Sequence, residues 1–402
     1  MGPTSHSPVV QALSAQQRRR GLIFLGAAVG AVGCTMALQM AMNANFLADE
    51  IGVSGFQLGL LEAVRESCGV LAFVLFALLA GLAEPIVGTA MLLLLAAGLG
   101  SYWVVPDFLW VVLLSLVWSQ GLHIWMPLPN SMTLALAEPN RAGHRLGQMQ
   151  AAGAAGSGIA LIAALICVWL GVKIRPLYLA AGLMAILAAI FCWKIPHGIK
   201  TPGPRLVFRR RYARYYVLCF LEGWRKQIFL CFAGFLLVRQ YHTPLSTMLL
   251  LWIAANGIGY VASARVGRLI DRVGERRILV FYYACLTGMF VGYALVSLPA
   301  VLYAIFVIDS SFFVFTTALT TLVNRLAPAS EHTATLSMGV AMNHVAAVTM
   351  PFVGGLLWQY VSYQWAFVIG AMAAASSIAV ALRIPKHNAQ QAPAAALSEA
   401  RT

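Results

Sequence analysis

From its N-terminus the chain alternates long apolar runs with short polar breaks, and the pattern recurs twelve times. The runs fall at about 21–47, 55–82, 87–104, 108–137, 146–171, 176–194, 214–238, 245–266, 277–297, 300–324, 335–360 and 364–383. A helix needs roughly 20 apolar residues to cross a bilayer, and each run is near that length. Turn chemistry marks most of the breaks: Pro106-Asp107, Pro139-Asn140, Pro176, Pro244 and Pro299. Ser54 followed by Gln57 predicts a capping box at the start of the second helix. The expected fold class is an all-α polytopic membrane protein with twelve transmembrane helices. The first run follows Arg18-Arg19-Arg20 and exceeds the roughly 7–15 apolar residues of a signal peptide, so it reads as a membrane helix.

Composition agrees with the pattern. The 402 residues are 60% hydrophobic and only 10% charged, against about 25% charged in soluble domains. That excludes a soluble enzyme. The seven cysteines all fall in apolar runs. Their odd number excludes a complete disulfide framework, and they are expected to act as small buried hydrophobes.

Charge orients the spans. With the N-terminus in the cytoplasm, 21 of the 27 Lys and Arg residues fall on the cytoplasmic side, 3 on the outer side and 3 inside spans. This asymmetry is that of the positive-inside rule. It accounts for the net charge of +14 without a nucleic-acid partner. The expected localisation is an inner (plasma) membrane, multi-pass, with both termini cytoplasmic.

The longest interior polar stretch, "WKIPHGIKTPGPRLVFRRRYAR" at 193–214, divides the chain six spans to six. The expected organisation is an N-tail (1–20), a first six-helix bundle (21–194), a basic linker (195–213), a second bundle (214–384) and a disordered tail (385–402). The halves echo each other weakly. "LAEPNRAGHRLG" at 136–147 aligns with "LAPASEHTATLS" at 326–337, and the triple arginines 18–20 align with 209–211. Gly81 and Gly88 match the spacing of Gly267 and Gly274. Repeats of this kind build transporter halves around a central site.

"GRLIDRVGERR" at 267–277 joins the eighth and ninth spans. It resembles the signature loop of the major facilitator superfamily: a Gly, then Asp-Arg, then Gly, then paired basic residues. "PFVGGLLWQYVSYQWAF" at 351–367 is similar to the hairpin between that family's eleventh and twelfth spans. The resemblance covers about residues 15–385 and implies two pseudo-symmetric bundles that work by alternating access. It also implies a conformational gate at Gly267, Asp271, Arg272, Gly274, Arg276 and Arg277. Two stretches depart from the pattern. The equivalent first-half loop, "GLAEPIVG" at 81–88, has no Asp-Arg and no basic pair, and the fifth span lacks the Gly-Pro pair common in the family's antiporters. The small residues of that span, "GQMQAAGAAGSGIALIAA" at 147–164, predict close helix packing.

The candidate chemistry lies inside the spans. A charge at mid-bilayer costs about 2.5–3.5 kcal/mol, so embedded charges face a cavity or each other. The seventh span carries Glu222, Arg225 and Lys226, and the second carries Glu62, Arg65 and Glu66 at the same spacing. Asp309 is the lone acid of the tenth span, the eleventh holds Asn343-His344, and the fourth holds His123 and Trp125 beside Pro127 and Pro129. Two roles stand open for the charge clusters: local ion pairs within one helix, or the lining of a water-filled cavity. Substrate-binding candidates are Arg225, Lys226, Glu222, Arg65, His123, Trp125, Asn343 and His344. Proton-coupling candidates are Asp309, Glu62 and Glu66.

The expected function is secondary active transport of a small organic solute by proton-coupled export, from a monomer in the lipid bilayer. The alternative is proton-coupled import of an organic anion or zwitterion, with Arg225 and Lys226 as the anion site. A non-transporting sensor or membrane enzyme ranks third. No run resembles a metal cluster, a nucleophile with its base, or a phosphate-binding loop, so no cofactor and no metal are expected.

Overall fold

A computed structural model describes residues 13–79, 81–200 and 208–385. Most of the linker's centre and the C-terminal tail expected at 385–402 lie outside the described residues. So does most of the N-tail.

Among the described residues the chain folds into helices alone, and they trace twelve crossings. The first half comprises α1 (Ala15–Asn45), α2 (Gly55–Leu78), α3 (Glu84–Gly100), α4 (Phe108–Trp125), α5 (Leu128–Leu136), α6 (Ala142–Trp169) and α7 (Ile174–Trp193). The second comprises α8 (Ala213–Gln227), α9 (Gly234–Tyr241), α10 (Leu245–Val273), α11 (Glu275–Leu295), α12 (Pro299–Phe312), α13 (Thr317–Leu326), α14 (Ala329–Tyr360) and α15 (Tyr363–Ala381). Three crossings are made of paired segments: α4 with α5, α8 with α9, and α12 with α13.

The breaks have local causes. Ser54 Oγ accepts from Gln57 N at 3.2 Å while Gln57 Oε1 accepts from Ser54 N at 2.9 Å, the expected capping box. A second box, Ser14 with Gln17, opens α1. Pro127 and Pro129 separate α4 from α5, because proline removes a helical donor and its ring clashes with the preceding turn. A π-helical turn, Ile228–Ala233, joins α8 to α9.

Among the described residues, ten crossings are long and apolar enough to span a membrane, by length and composition alone. The other two are α2 and the α8–α9 span, which carry the embedded charge clusters in their middles. Those charges therefore need a local account.

Small residues set the closest approaches. A Cβ on Gly182 would come within 2.6 Å of the Gly100 Cα, so α3 and α7 touch backbone to backbone. Between α1 and α6, Cys34 Sγ donates to Gly156 O at 3.1 Å and Ser157 Oγ to Gly33 O at 3.1 Å. The small residues of the fifth span make the close packing their composition predicts.

The halves meet at the end away from the chain termini. Asn45 Nδ2 donates to Thr243 O at 3.0 Å, tying the end of α1 to the loop after α9. Gly59 of α2 packs on Gly355 of α14, where a Cβ would come within 2.7 Å of the Gly355 Cα. Towards the termini the contact loosens. Val74 and Leu78 near the end of α2 are exposed, and a Cβ on Gly143, Gly147, Gly257 or Gly259 would meet open space. The close approaches between the halves described here, Asn45 with Thr243 and Gly59 with Gly355, thus lie at one end.

Candidate functional site

The seam between the halves encloses a cavity of about 260 Å³. Its apolar wall includes Met36, Leu58, Leu122, Phe229, Trp252 and Phe306. Its polar residues concentrate on α2, α4, α8 and α14, the helices that carry the sequence candidates.

The α2 cluster lines this cavity. Arg65 bridges Glu62 one turn back, and its Nη2 also reaches Glu66 Oε1 at 3.1 Å. The guanidinium lies over the Trp118 ring, 5.3 Å from its centroid. Glu62 and Glu66 are buried, so the arginine holds one charge between two carboxylates. The Arg65 carbonyl accepts from Ser119 Oγ at 3.0 Å, which ties α2 to α4.

Glu66 uses its other oxygen differently. Oε2 lies 3.9 Å from His123 Nε2 and 3.7 Å from His344 Nδ1. The two imidazole rings stand 5.2 Å apart and T-shaped. His123 belongs to the first half and His344 to the second, so this triad crosses the seam. His344 can come so close because Gly69 of α2 leaves space for its ring.

The α8 cluster divides between two environments. Consecutive residues of an α-helix are about 100° apart, at 3.6 residues per turn. Glu222 and Arg225 share a face turned into the second half. Arg225 pairs with Glu222, donates to Tyr282 OH at 2.6 Å, and lies 3.6 Å from Asp309 Oδ1. Tyr282 OH also donates to Glu222 Oε1 at 3.0 Å. The Arg225 guanidinium sits over Phe313 at 4.6 Å. Arg225 and Asp309 are each 0% exposed, and none of Glu222, Arg225 and Asp309 lines the cavity.

Lys226 turns the other way, onto the cavity wall. Its Nζ donates to Asn343 Oδ1 at 2.9 Å, and Asn343 Nδ2 donates to Cys219 O at 3.3 Å. Gly223 brings α8 against the Asn343 backbone and so sets the lysine beside its partner. Among the described residues no carboxylate lies within ion-pairing distance of Lys226.

The structure therefore brings Glu62, Arg65, Glu66, His123, Lys226 and His344 to one cavity, with Asn343 beside them. It places Glu222, Arg225 and Asp309 in a buried network behind the wall. Trp125 is buried against Gly88 of α3 and does not line the cavity. Sequence reading missed Gln39 and Asn43, one helical turn apart on α1, and Gln227 beside Lys226. Polar residues at i, i+4 within the first apolar run were the available signal.

The loop at 267–277 is mostly helix. Gly267 lies inside α10, and the turn is made by Gly274 alone, at φ +86°. Asp271 and Arg272 are exposed. Among the described residues the ion pair of this region is made by the next acid, Glu275, whose Oε2 lies 3.0 Å from Arg325 Nε at the end of α13. In the first half, Glu84 opens α3 at the equivalent place and accepts from Ser131 Oγ at 2.6 Å. Both are buried acids in the first turn of the third crossing of their half, 191 positions apart.

Comparison with known proteins follows the same lines. The sequence profile described as "Major Facilitator Superfamily" matches residues 23–333 and 267–401. No curated protein matches the chain. Among solved structures, the nucleoside transporter NupG is similar over 91% of this chain and 99% of its own, with 13% identity and a TM-score of 0.73. A bacterial homologue of the iron transporter ferroportin in an inward-facing state is similar over 93% and 99%, with 14% identity and a TM-score of 0.70. A bacterial homologue of the human lysosomal transporter Spinster is similar over 92% and 97%, with 12% identity and a TM-score of 0.68. At these identities the likeness is one of fold.

Proposed function

The chain belongs to the major facilitator superfamily, and from that premise we propose that it exports a small amphiphilic organic solute by proton-coupled alternating access. Membership makes it a membrane transporter rather than an enzyme. The observation that carries the finer reading is the cavity: apolar walls from both halves, with a charged end formed by Glu62, Arg65, Glu66 and Lys226. An amphiphile buries its body against Met36, Phe229 and Trp252 and sets its polar group among the charges.

The direction rests on orientation. In this reading the positive-inside distribution argues for cytoplasmic termini in an inner membrane, with the cavity loading from the end nearer them, away from the Gly59–Gly355 contact. A solute then loads from inside. The coupling site in this reading is Asp309. Neither of its oxygens has a hydrogen-bond partner among the described residues, and its charge faces Arg225 at 3.6 Å. A proton on Asp309 leaves Arg225 to Glu222 and Tyr282 alone, and Arg225 adjoins Lys226 on the cavity wall. Proton occupancy and solute occupancy are thereby linked through one turn of α8. The working unit is a monomer, since one chain supplies both halves of the cavity.

Proteoliposomes with a pH gradient of either sign test this. Export predicts solute movement against an inward proton gradient, with protons moving the opposite way. Solute and protons moving together would refute export and establish the second reading, import of an organic anion or zwitterion. Lys226 favours that reading, as the cavity-facing ammonium without a carboxylate partner among the described residues.

A further inference from the structure

We propose that Glu66, His123 and His344 form a binding site for a divalent transition-metal ion of the zinc class, bridging the two halves. Their candidate ligand atoms all lie within 4.8 Å of one another. No sequence pattern announces it, because the three residues come from α2, α4 and α14 and share no spacing.

The donor set is prepared for a cation. His123 Nδ1 lies 2.8 Å from the Ser119 carbonyl, which can only accept. The ring proton therefore sits on Nδ1, and Nε2 presents its lone pair to the cluster. A backbone carbonyl fixing the tautomer in this way is the usual outer partner of a metal-bound histidine. His344 Nδ1 is buried and has no hydrogen-bond partner among the described residues. Arg65 takes Glu66 Oε1 and leaves Oε2 facing both imidazoles. The Nε2 lone pair of His123, the unpartnered Nδ1 of His344 and one carboxylate oxygen converge.

The geometry closes with small side-chain rotations. Ligands about 2.0–2.2 Å from a tetrahedral zinc stand roughly 3.3–3.6 Å apart. The present 3.7 and 3.9 Å from Glu66 Oε2 are slightly wider, and all three ligand atoms lie within 4.8 Å of one another, so the two rings turn towards each other to share an ion. All three residues line the cavity, so the fourth position opens into it. Because His344 belongs to the second half, a bound ion ties α14 to α2 and α4. Separating the halves at this depth breaks a ligand bond, so the ion slows the transport cycle.

The test is calorimetric titration of purified full-length protein with Zn²⁺ alone, in detergent at neutral pH. One equivalent binds, and Glu66→Gln and His344→Ala each weaken it by at least the roughly 10–100-fold that loss of an outer partner costs. His344→Cys substitutes a softer ligand and moves preference from Zn²⁺ towards Cd²⁺. Absence of binding in the wild type, or unchanged affinity in Glu66→Gln and His344→Ala, overturns the site. An unchanged ion preference in folded His344→Cys overturns it too, even where the alanine variant fails to fold. The readout needs no solute, so its failure leaves the transport reading untouched.

Discussion

Arg225 and Lys226 are consecutive in the chain and serve different compartments. Arg225 donates to Tyr282 OH at 2.6 Å inside the second half, and Lys226 donates to Asn343 Oδ1 at 2.9 Å on the cavity wall. One is neutralised in place by Glu222 and Asp309, while the other presents its charge to whatever enters. The consequences of losing each differ accordingly.

Lys226→Ala is expected to leave the fold intact and to raise the KM for a solute bearing an anionic group by about 10- to 100-fold. That corresponds to the roughly 1.5–3 kcal/mol of a hydrogen bond to a charged group. Initial-rate transport in proteoliposomes checks it.

Arg225→Ala is expected to act on stability first. It leaves Glu222 and Asp309 buried without their cation, and breaking one side of a buried ion pair costs about 3–5 kcal/mol. Thermal unfolding in detergent should show a large loss for Arg225→Ala beside a small one for Lys226→Ala. Equal losses would contradict the division between the two residues.

Gly59→Leu tests alternating access. A side chain at Gly59 cannot fit against Gly355, so the end of the cavity away from the termini is wedged open. The variant should lose transport, and a cysteine placed at Gln39 should become reactive from the side opposite the termini. Full transport would show that this contact is not part of the closed end.

The pH dependence separates two carboxylates. Outside the membrane, the bond from Arg145 holds the Glu138 carboxyl down at about 2, against an ordinary 4.5. A depressed carboxyl stabilises the fold fully above its ordinary value and loses that contribution only as pH falls through the depressed one. Glu138→Gln should therefore leave the transport profile between about pH 5 and 8 unchanged. Asp309→Asn should flatten it, as measured by solute uptake across that range.

Much of the fold was legible because it is written locally. Apolar runs gave the spans, Ser54 with Gln57 marked a helix start, and Pro127 with Pro129 marked a break. Small residues of the fifth span announced the contact with α1. The site was legible only as a set of residues. That Arg225 and Lys226 part company depends on what each side chain reaches from α8: Tyr282 of α11 and Asp309 of α12 for one, Asn343 of α14 and the cavity for the other. The meeting of Glu66, His123 and His344 needs three helices from two halves, and no spacing encodes it. In the loop at 267–277 the motif pointed to Asp271 and two glycines. The turn uses Gly274, and the buried ion pair falls to Glu275 with Arg325, because α10 continues as helix through Gly267 and carries Asp271 out to the surface.

The central claim is that proton and solute are linked through Asp309 and the α8 network. The direct measurement is proton movement on solute addition in proteoliposomes, comparing the wild type with Asp309→Asn. The account predicts solute-dependent proton flux in the wild type and its loss in Asp309→Asn, with solute binding retained. Undiminished proton flux in Asp309→Asn, or solute flux without proton movement in the wild type, would contradict it.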